Sequence, residues 1–190
     1  EELYAQDTGA DHARFLVGGS SQGNMAAILA LCTDGQPIAL DRTSHRSVLA
    51  GLVLSGGRPV WLQPQIHPEL GIPVGMPPAA VDAIDEDVTG LVVTSPAYVG
   101  TMSDVAAIAR QAHARGIPLA VDQAWGAHLD FIPPGMLGDR YHGALALGAD
   151  IEVTSVHKAL MGFTQAAVVA SRGRQVDVHR LDRAVDTLST

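Results

Sequence analysis

Several things are scarce in this chain, and each scarcity removes a role. There is one cysteine, Cys32, in 190 residues, so no internal disulfide framework can staple the fold. Cys32 follows the apolar run 25–31, where a buried thiol is expected rather than a catalytic one. There is no basic run, and the formal net charge is −8, which argues against a nucleic-acid surface. No apolar stretch is long enough to span a membrane. No signal-peptide pattern is present, so the expected location is cytoplasmic. Charged residues make up only 17% of the chain against 47% hydrophobic. That balance suits an α/β domain whose strands are covered on both faces, and the length allows one domain with a real core.

What is present alternates between strand-like and helix-like segments. Strands are expected at 13–17, 37–40, 59–62, 91–94, 118–121, 151–154 and 166–170. Helices are expected at 21–32, 44–54 (capped by Ser44 and ended by Gly56-Gly57), 79–85, 103–115 (capped by Ser103 and stopped by Gly116) and 176–188. The Pro- and Gly-rich stretch 67–78 reads as a loop. Glu1 starts inside what looks like a helix and Thr190 ends one. Such alternation predicts a mostly parallel, mixed sheet with helices on both faces. Ligands of such sheets bind outside the carboxyl ends of the strands.

Three features fall at such ends. Gly18-Gly19-Ser20-Ser21-Gln22-Gly23-Asn24 opens a helix. Unpaired N–H groups and the positive end of the dipole would meet a phosphate there. Gly19 and Gly23 would let the backbone approach it, with the Ser20 and Ser21 hydroxyls as further donors. A plain capped helix start is the alternative. No Gly-Lys-Ser/Thr follows and no G-x-G-x-x-G is present, so neither a Walker loop nor a dinucleotide fingerprint is read here. Next, Pro118-Leu119-Ala120-Val121 delivers Asp122 with no basic neighbour in sequence. A buried carboxylate needs a partner, and a protonated pyridine nitrogen would serve; a helix cap is the bland reading. Finally, Ile151-Glu152-Val153-Thr154-Ser155-Val156-His157 delivers Lys158. An amine at the end of an apolar strand is expected to be desolvated, which favours its nucleophilic neutral form. His45, after a strand and at a helix start, could lie flat on an aromatic ring, bind an anion or simply cap. An anion cradle, a strand-end Asp and a strand-end Lys, in that order, are what pyridoxal phosphate (PLP) enzymes need. No His/Asp/Glu set has metal-ligand spacing, and no Gly-x-Ser-x-Gly supports a serine hydrolase. His12, His67, His113, His142 and His179 show no pairing pattern, and Trp61 reads as packing.

The chain resembles the major domain of the PLP-dependent Orn/Lys/Arg decarboxylases, of the aspartate-aminotransferase fold (fold type I). The resemblance covers nearly the whole chain. It rests on Gly19-Ser20-Ser21-Gln22-Gly23-Asn24, on Ser44-His45-Arg46-Ser47-Val48, on Thr94-Ser95-Pro96-Ala97-Tyr98-Val99-Gly100, on Asp122-Gln123-Ala124-Trp125-Gly126-Ala127-His128 and on Ser155-Val156-His157-Lys158. It implies that Lys158 carries PLP as a Schiff base, that Asp122 pairs with the pyridine nitrogen, and that His45 stacks on the ring. It implies a phosphate held by Ser20, Ser21 and Gln22, with Ser155 and His157 adding contacts. Ala124 would line the other ring face and Trp125 the substrate pocket. The family often has Glu-Ala-His after the Asp, where this chain has Gln123-Ala124-Trp125, and an Asn where it has Ala97. The resemblance also implies a smaller C-terminal domain beyond residues 1–190 and a homodimer or higher homo-oligomer, with the site at the interface.

The expected activity is therefore decarboxylation of arginine, lysine or ornithine, with Lys158 or His157 returning a proton to the substrate carbon. Other reactions on the same fold (transamination, β-elimination, aldol cleavage) remain alternatives at this level. So does a non-catalytic PLP-binding or oligomerisation module.

Overall fold

The apolar, β-branched runs form the strands. They span His12–Leu16 (β1), Pro37–Asp41 (β2), Arg58–Leu62 (β3), Leu91–Thr94 (β4), Leu119–Asp122 (β5), Ile151–Ser155 (β6) and Ala167–Ser171 (β7). Helices span Glu2–Thr8 (α1), Gly19–Leu31 (α2), Arg46–Ser55 (α3), Ala79–Asp82 (α4), Val105–Ala114 (α5), Val156–Ala159 (α6) and Val178–Leu188 (α7), with a 3-10 turn at Ala127–Phe131. In this computed structural model, which describes residues 1–133, 135–138 and 141–189, the strands form one mixed sheet. Their order is β1-β7-β6-β5-β4-β2-β3. The five central and edge strands from β6 to β3 run parallel, whereas β7 is antiparallel to both β6 and β1. Thr190, expected to end a helix, lies outside the described residues.

Consecutive strand residues point to opposite faces, and the core divides accordingly. Val93 and Val121 pack under α4 and α5 with Val81, Ile84, Val105 and Ile108. Val92, Ala120 and Val153 pack under α2, α3 and α7 with Ile28, Val48, Leu181 and Val185. Cys32 sits in the second cluster, buried, and Trp61 packs against it. Gly23 has a different reason from the one its sequence suggests. A Cβ there would lie 2.6 Å from Val153 Cγ1 and 2.9 Å from Leu16 Cδ1. Gly23 lets α2 press onto the sheet; it is not a close approach to an anion.

Two caps differ from expectation. His45, not Ser44, is the N-cap of α3 and accepts from the Ser47 N–H. Asp104, not Ser103, caps α5 and accepts from the Ala107 N–H. Ser103 instead ties two loops, with its hydroxyl accepting from Met76 N at 2.9 Å and its N–H donating to Ser95 Oγ at 3.1 Å. In both cases a residue with better reach to the first-turn N–H groups takes the cap.

An acidic pair, Glu152 buried and Asp130 half-buried, joins the 3-10 turn to β6. Asp130 accepts from Gln123 Nε2 and Tyr4 Oη, while Glu152 Oε2 accepts from Leu145 N at 3.1 Å. Glu152 Oε1 has no partner among the described residues. Burial pushes the Asp130 carboxyl up to about 6. Burial, reinforced by the Asp130 charge, pushes Glu152 well above the ordinary range. The unfolded chain releases these protons near pH 4, while the folded chain keeps them to higher pH. Stability from this pair is thus complete below about pH 4 and lost as pH rises through 6 and beyond. Glu152→Gln keeps the shape, leaves an acceptor for Leu145 N and supplies a donor toward Asp130. It should stabilise the protein at pH 8 by about 2 kcal/mol, roughly 4–8 °C in Tm, and flatten the slope of Tm between pH 5 and 8. Thermal unfolding across that range checks this; an unchanged Tm at pH 8 would mean that the pair carries no such burden.

Candidate active site

Strand order turns back between β2 and β4, since β3 lies outward on one side and β5 and β6 on the other. Crevices at such a reversal are where open α/β sheets bind ligands. A cavity of about 330 Å³ opens there, lined from five strand ends. Thr43 and His45 follow β2, Thr94 ends β4, and Asp122 and Ala124 belong to the end of β5. His157 and Lys158 follow β6, and Gly18 to Ser21 follow β1. Gln165, just before antiparallel β7, completes the rim.

Ser20 and Ser21 occupy the first turn of α2, where N–H groups have no intrahelical acceptor. Ser20 Oγ accepts from Ser155 Oγ at 2.8 Å, so Ser155 acts through Ser20 and does not itself line the cavity. The Gln22 side chain is turned away. Its Oε1 takes the Gly18 N–H at 2.9 Å, and its Nε2 reaches Val185 O and Ser189 Oγ on and beyond α7. A phosphate contact from the Gln22 side chain is therefore a correction to the sequence reading. The reason is that α7 covers the outer side of this helix start and takes the amide.

Asp122 is 3% exposed. Its Oδ2 accepts from Asn24 Nδ2 at 2.7 Å and its Oδ1 from Ala124 N at 3.1 Å. Burial pushes this carboxyl up, and the Asn24 amide and the Ala124 N–H pull it back. His45 Nδ1 lies 2.8 Å from Ser47 Oγ. Arg46 also lines the cavity.

Lys158 departs from its sequence reading. The strand ends at Ser155, and Lys158 lies on the one-turn helix α6, exposed rather than desolvated. Its Nζ stands over the Trp125 ring, 4.4 Å from the centroid, a cation–π contact. The turn is pinned by His157, whose N–H and Nδ1 both meet Ala166 O, at 3.2 and 3.0 Å. A carbonyl only accepts, so His157 Nδ1 carries a proton and Nε2 is left for exchange. Lys158 is also the sole lysine in the sequence, so no other side chain of this chain offers a primary amine.

Other lining residues were missed. Thr94 Oγ1 is buried and has no hydrogen-bond partner among the described residues. Gln165 has φ 68, unusual for a residue with a side chain. Neither a lone threonine at a strand end nor a backbone angle leaves a sequence signal. Tyr98 and Trp125 also border a second cavity of about 360 Å³, lined further by His128, Leu129 and Tyr141. The histidines outside the site are partly accounted for locally: His12 meets Asp182 and His113 meets Asp150, each at 2.8 Å.

The sheet, the helix N-terminus after β1, the carboxylate that ends β5 and the lysine after β6 have the arrangement of the fold-type-I, or aspartate-aminotransferase, fold. The chain superposes on the constitutive lysine decarboxylase of Escherichia coli with a TM-score of 0.83 at 24% identity, over 100% of this chain and 28% of that one. An aspartate aminotransferase from Thermus thermophilus gives 0.70 at 17%, over 98% of this chain and 48% of that one. Within that class the chain belongs to the family described as "Orn/Lys/Arg decarboxylase, major domain", whose sequence profile matches residues 1–190. It is 35% identical to an arginine decarboxylase of Bacillus subtilis over 193 residues, covering 100% of this chain and 38% of the relative. It is 28% identical to the constitutive lysine decarboxylase of E. coli over 189 residues, covering 91% and 26%. The chain thus spans about two fifths or less of the curated relatives it matches.

Proposed function

We propose that this cavity binds pyridoxal phosphate and that the whole protein decarboxylates a basic amino acid, arginine before lysine or ornithine. The carrying observation is Asp122: a buried carboxylate, pushed up by its burial and held by Asn24 and Ala124, on the wall of a cavity that also holds the chain's sole lysine. A protonated pyridine nitrogen is the cation that fits. The orphaned Thr94 hydroxyl, the first-turn N–H groups and the Ser20 and Ser21 hydroxyls are a donor set suited to a phosphate-bearing, polar group. Arginine is placed first because the arginine decarboxylases share 33–35% identity with this chain, against 28% for the E. coli lysine enzyme.

When bound, the cofactor supplies an electron sink for the charge left on the substrate carbon after CO2 departs. The protein supplies the rest. Asp122 would hold the proton of the ring nitrogen. Lys158 Nζ would hold the cofactor, and Lys158 Nζ or His157 Nε2 would return a proton to the substrate carbon. His45 and Ala124 would contact the ring. Trp125, shared by both cavities, directs the substrate's side chain toward Tyr98 and Tyr141, aromatic faces on which a planar guanidinium packs well. A C-terminal domain and a partner copy would close the mouth, and the exposed Met161 and Phe163 beyond Lys158 are suited to that cover.

Product analysis of the whole protein, supplied with the cofactor and each of the three amino acids, tests the reading. One of the three should release CO2 and its amine, arginine fastest. A keto acid without CO2 would assign the site to transamination instead, and cofactor absorbance without turnover would leave a binding module.

A further inference from the structure

Asn24 and Ser47 carry no role in the reading above, yet both are buried, at 3% and 4% exposure. They lie between the two groups assigned to opposite duties on the ring. Asn24 comes from α2 and Ser47 from α3, while His45 caps α3 and Asp122 ends β5. Four contacts join them: Asn24 Nδ2 to Asp122 Oδ2 at 2.7 Å, Asn24 Nδ2 to Ser47 Oγ at 3.0 Å, Ser47 Oγ to His45 Nδ1 at 2.8 Å, and Ser47 N to His45 Nδ1 at 3.2 Å.

The chemistry of these atoms fixes the direction of every bond. The Ser47 backbone N–H can only donate, so His45 Nδ1 must present its lone pair, and the ring proton sits on Nε2. The Asn24 amide cannot be reversed, because its carbonyl oxygen would then face the Asp122 carboxylate at 2.7 Å. Its two N–H bonds therefore go to Asp122 and to Ser47. With its oxygen accepting from Asn24, the Ser47 hydroxyl is left to donate to His45 Nδ1. The donors run outward from Asn24, to Asp122 on one side and through Ser47 to His45 Nδ1 on the other. Partly satisfied buried networks are costly, whereas satisfied ones specify a single arrangement.

We propose that Asn24 and Ser47 are positioning residues: together they hold His45 in the Nε2–H form and lock its ring in register with the Asp122 carboxylate. The inference rests on the cofactor reading for its purpose, but its geometry does not. His45, at the start of α3, and Asp122, at the end of β5, come from different parts of the fold. A relay through two helices makes their separation a property of the fold and not of two independent rotamers. Asn24 also orients the carboxylate plane, together with the Ala124 N–H at 3.1 Å.

The test begins on the whole protein without added cofactor. Long-range proton–nitrogen correlation of the imidazoles should give His45 as the Nε2–H tautomer, with Nδ1 accepting a hydrogen bond. A proton on His45 Nδ1 in the unmodified protein overturns the proposal, whatever the variants do. Asn24→Ala, which touches His45 only through Ser47, should shift the His45 Nδ1 resonance while leaving that of His67 in place. Ser47→Ala should do the same, and Ser47→Thr, which restores a hydroxyl, should return it. An unmoved His45 signal in folded Asn24→Ala also overturns it. Titration with pyridoxal phosphate, followed by its absorbance, should then show about tenfold weaker binding in Asn24→Ala and Ser47→Ala, the loss expected for a hydrogen bond to a charged or polarised network. Near wild-type binding is expected in Ser47→Thr. Wild-type affinity in both alanine variants overturns the positioning role. If the unmodified protein gives the expected tautomer but no chromophore, the cofactor reading fails and the relay stands.

Discussion

Replacing Lys158 by alanine is expected to abolish turnover and to release the cofactor from covalent attachment. Lys158 is the sole lysine of the chain, so neither a neighbouring turn nor a rotamer change can supply a second amine. Losing an attacking amine and a proton donor together should lower the rate at least about a thousandfold. Lys158→Arg keeps the charge over Trp125 but offers no nucleophile, and should be as inactive, which separates covalent chemistry from the cation–π contact. Borohydride reduction of the protein with bound cofactor should fix the label on the one peptide that holds Lys158. A label that survives in Lys158→Ala, or activity within tenfold of the parent, would remove this residue from the mechanism. The exposure of the amine fits the role. An amine that would both meet and leave a cofactor needs room to move, and the Trp125 face at 4.4 Å gives the cation a resting place.

Sequence reading found the strands because each is a short apolar run closed by a polar or small residue, and strand ends are where the site residues are. Asp122, His45, Ser20, Ser21, His157 and Lys158 accordingly come together at one edge. Direction was not legible. Ala167–Ala170 is apolar throughout and reads alike in either orientation, yet β7 runs against its neighbours. That reversal is what brings Gln165 to the cavity. Nor was the side to which a helical side chain turns: Gln22 and Ser21 are adjacent, and only the packing of α7 decides that one faces Val185 O and the other the cavity. Lys158 was read as a strand-end residue because Val156 and the strand before it are β-branched or apolar. The bonds from His157 to Ala166 O turn the chain into α6, and they depend on a residue nine positions later. The Asn24–Ser47 path was invisible for the same reason, since Asn24 and Asp122 lie 98 residues apart.

Asp122→Asn is expected to retain the cofactor and lose most of the activity. The carboxylate accepts from two fixed donors, Asn24 Nδ2 and Ala124 N, and its remaining lone pairs would be open to a ring nitrogen. An amide has the same outline but one oxygen, so it can satisfy only one of those donors and must set its own NH2 against the other or against the ring. More important, it carries no charge. A ring nitrogen beside a neutral amide gives up its proton readily, and the sink that draws charge from the substrate carbon weakens. In this low-dielectric wall the pair should be worth about 3 kcal/mol in the transition state, roughly a hundredfold or more in rate. The hydroxyls of Ser20 and Ser21 and the amine of Lys158 are untouched, which is why the cofactor should still bind when supplied in excess while the rate falls. Rates and cofactor occupancy measured side by side on the parent and Asp122→Asn decide it. A loss under threefold at full occupancy would rule out a charge pair at this position, and Asp122→Glu should not rescue, because the longer side chain cannot keep both donors and the same place on the cavity wall.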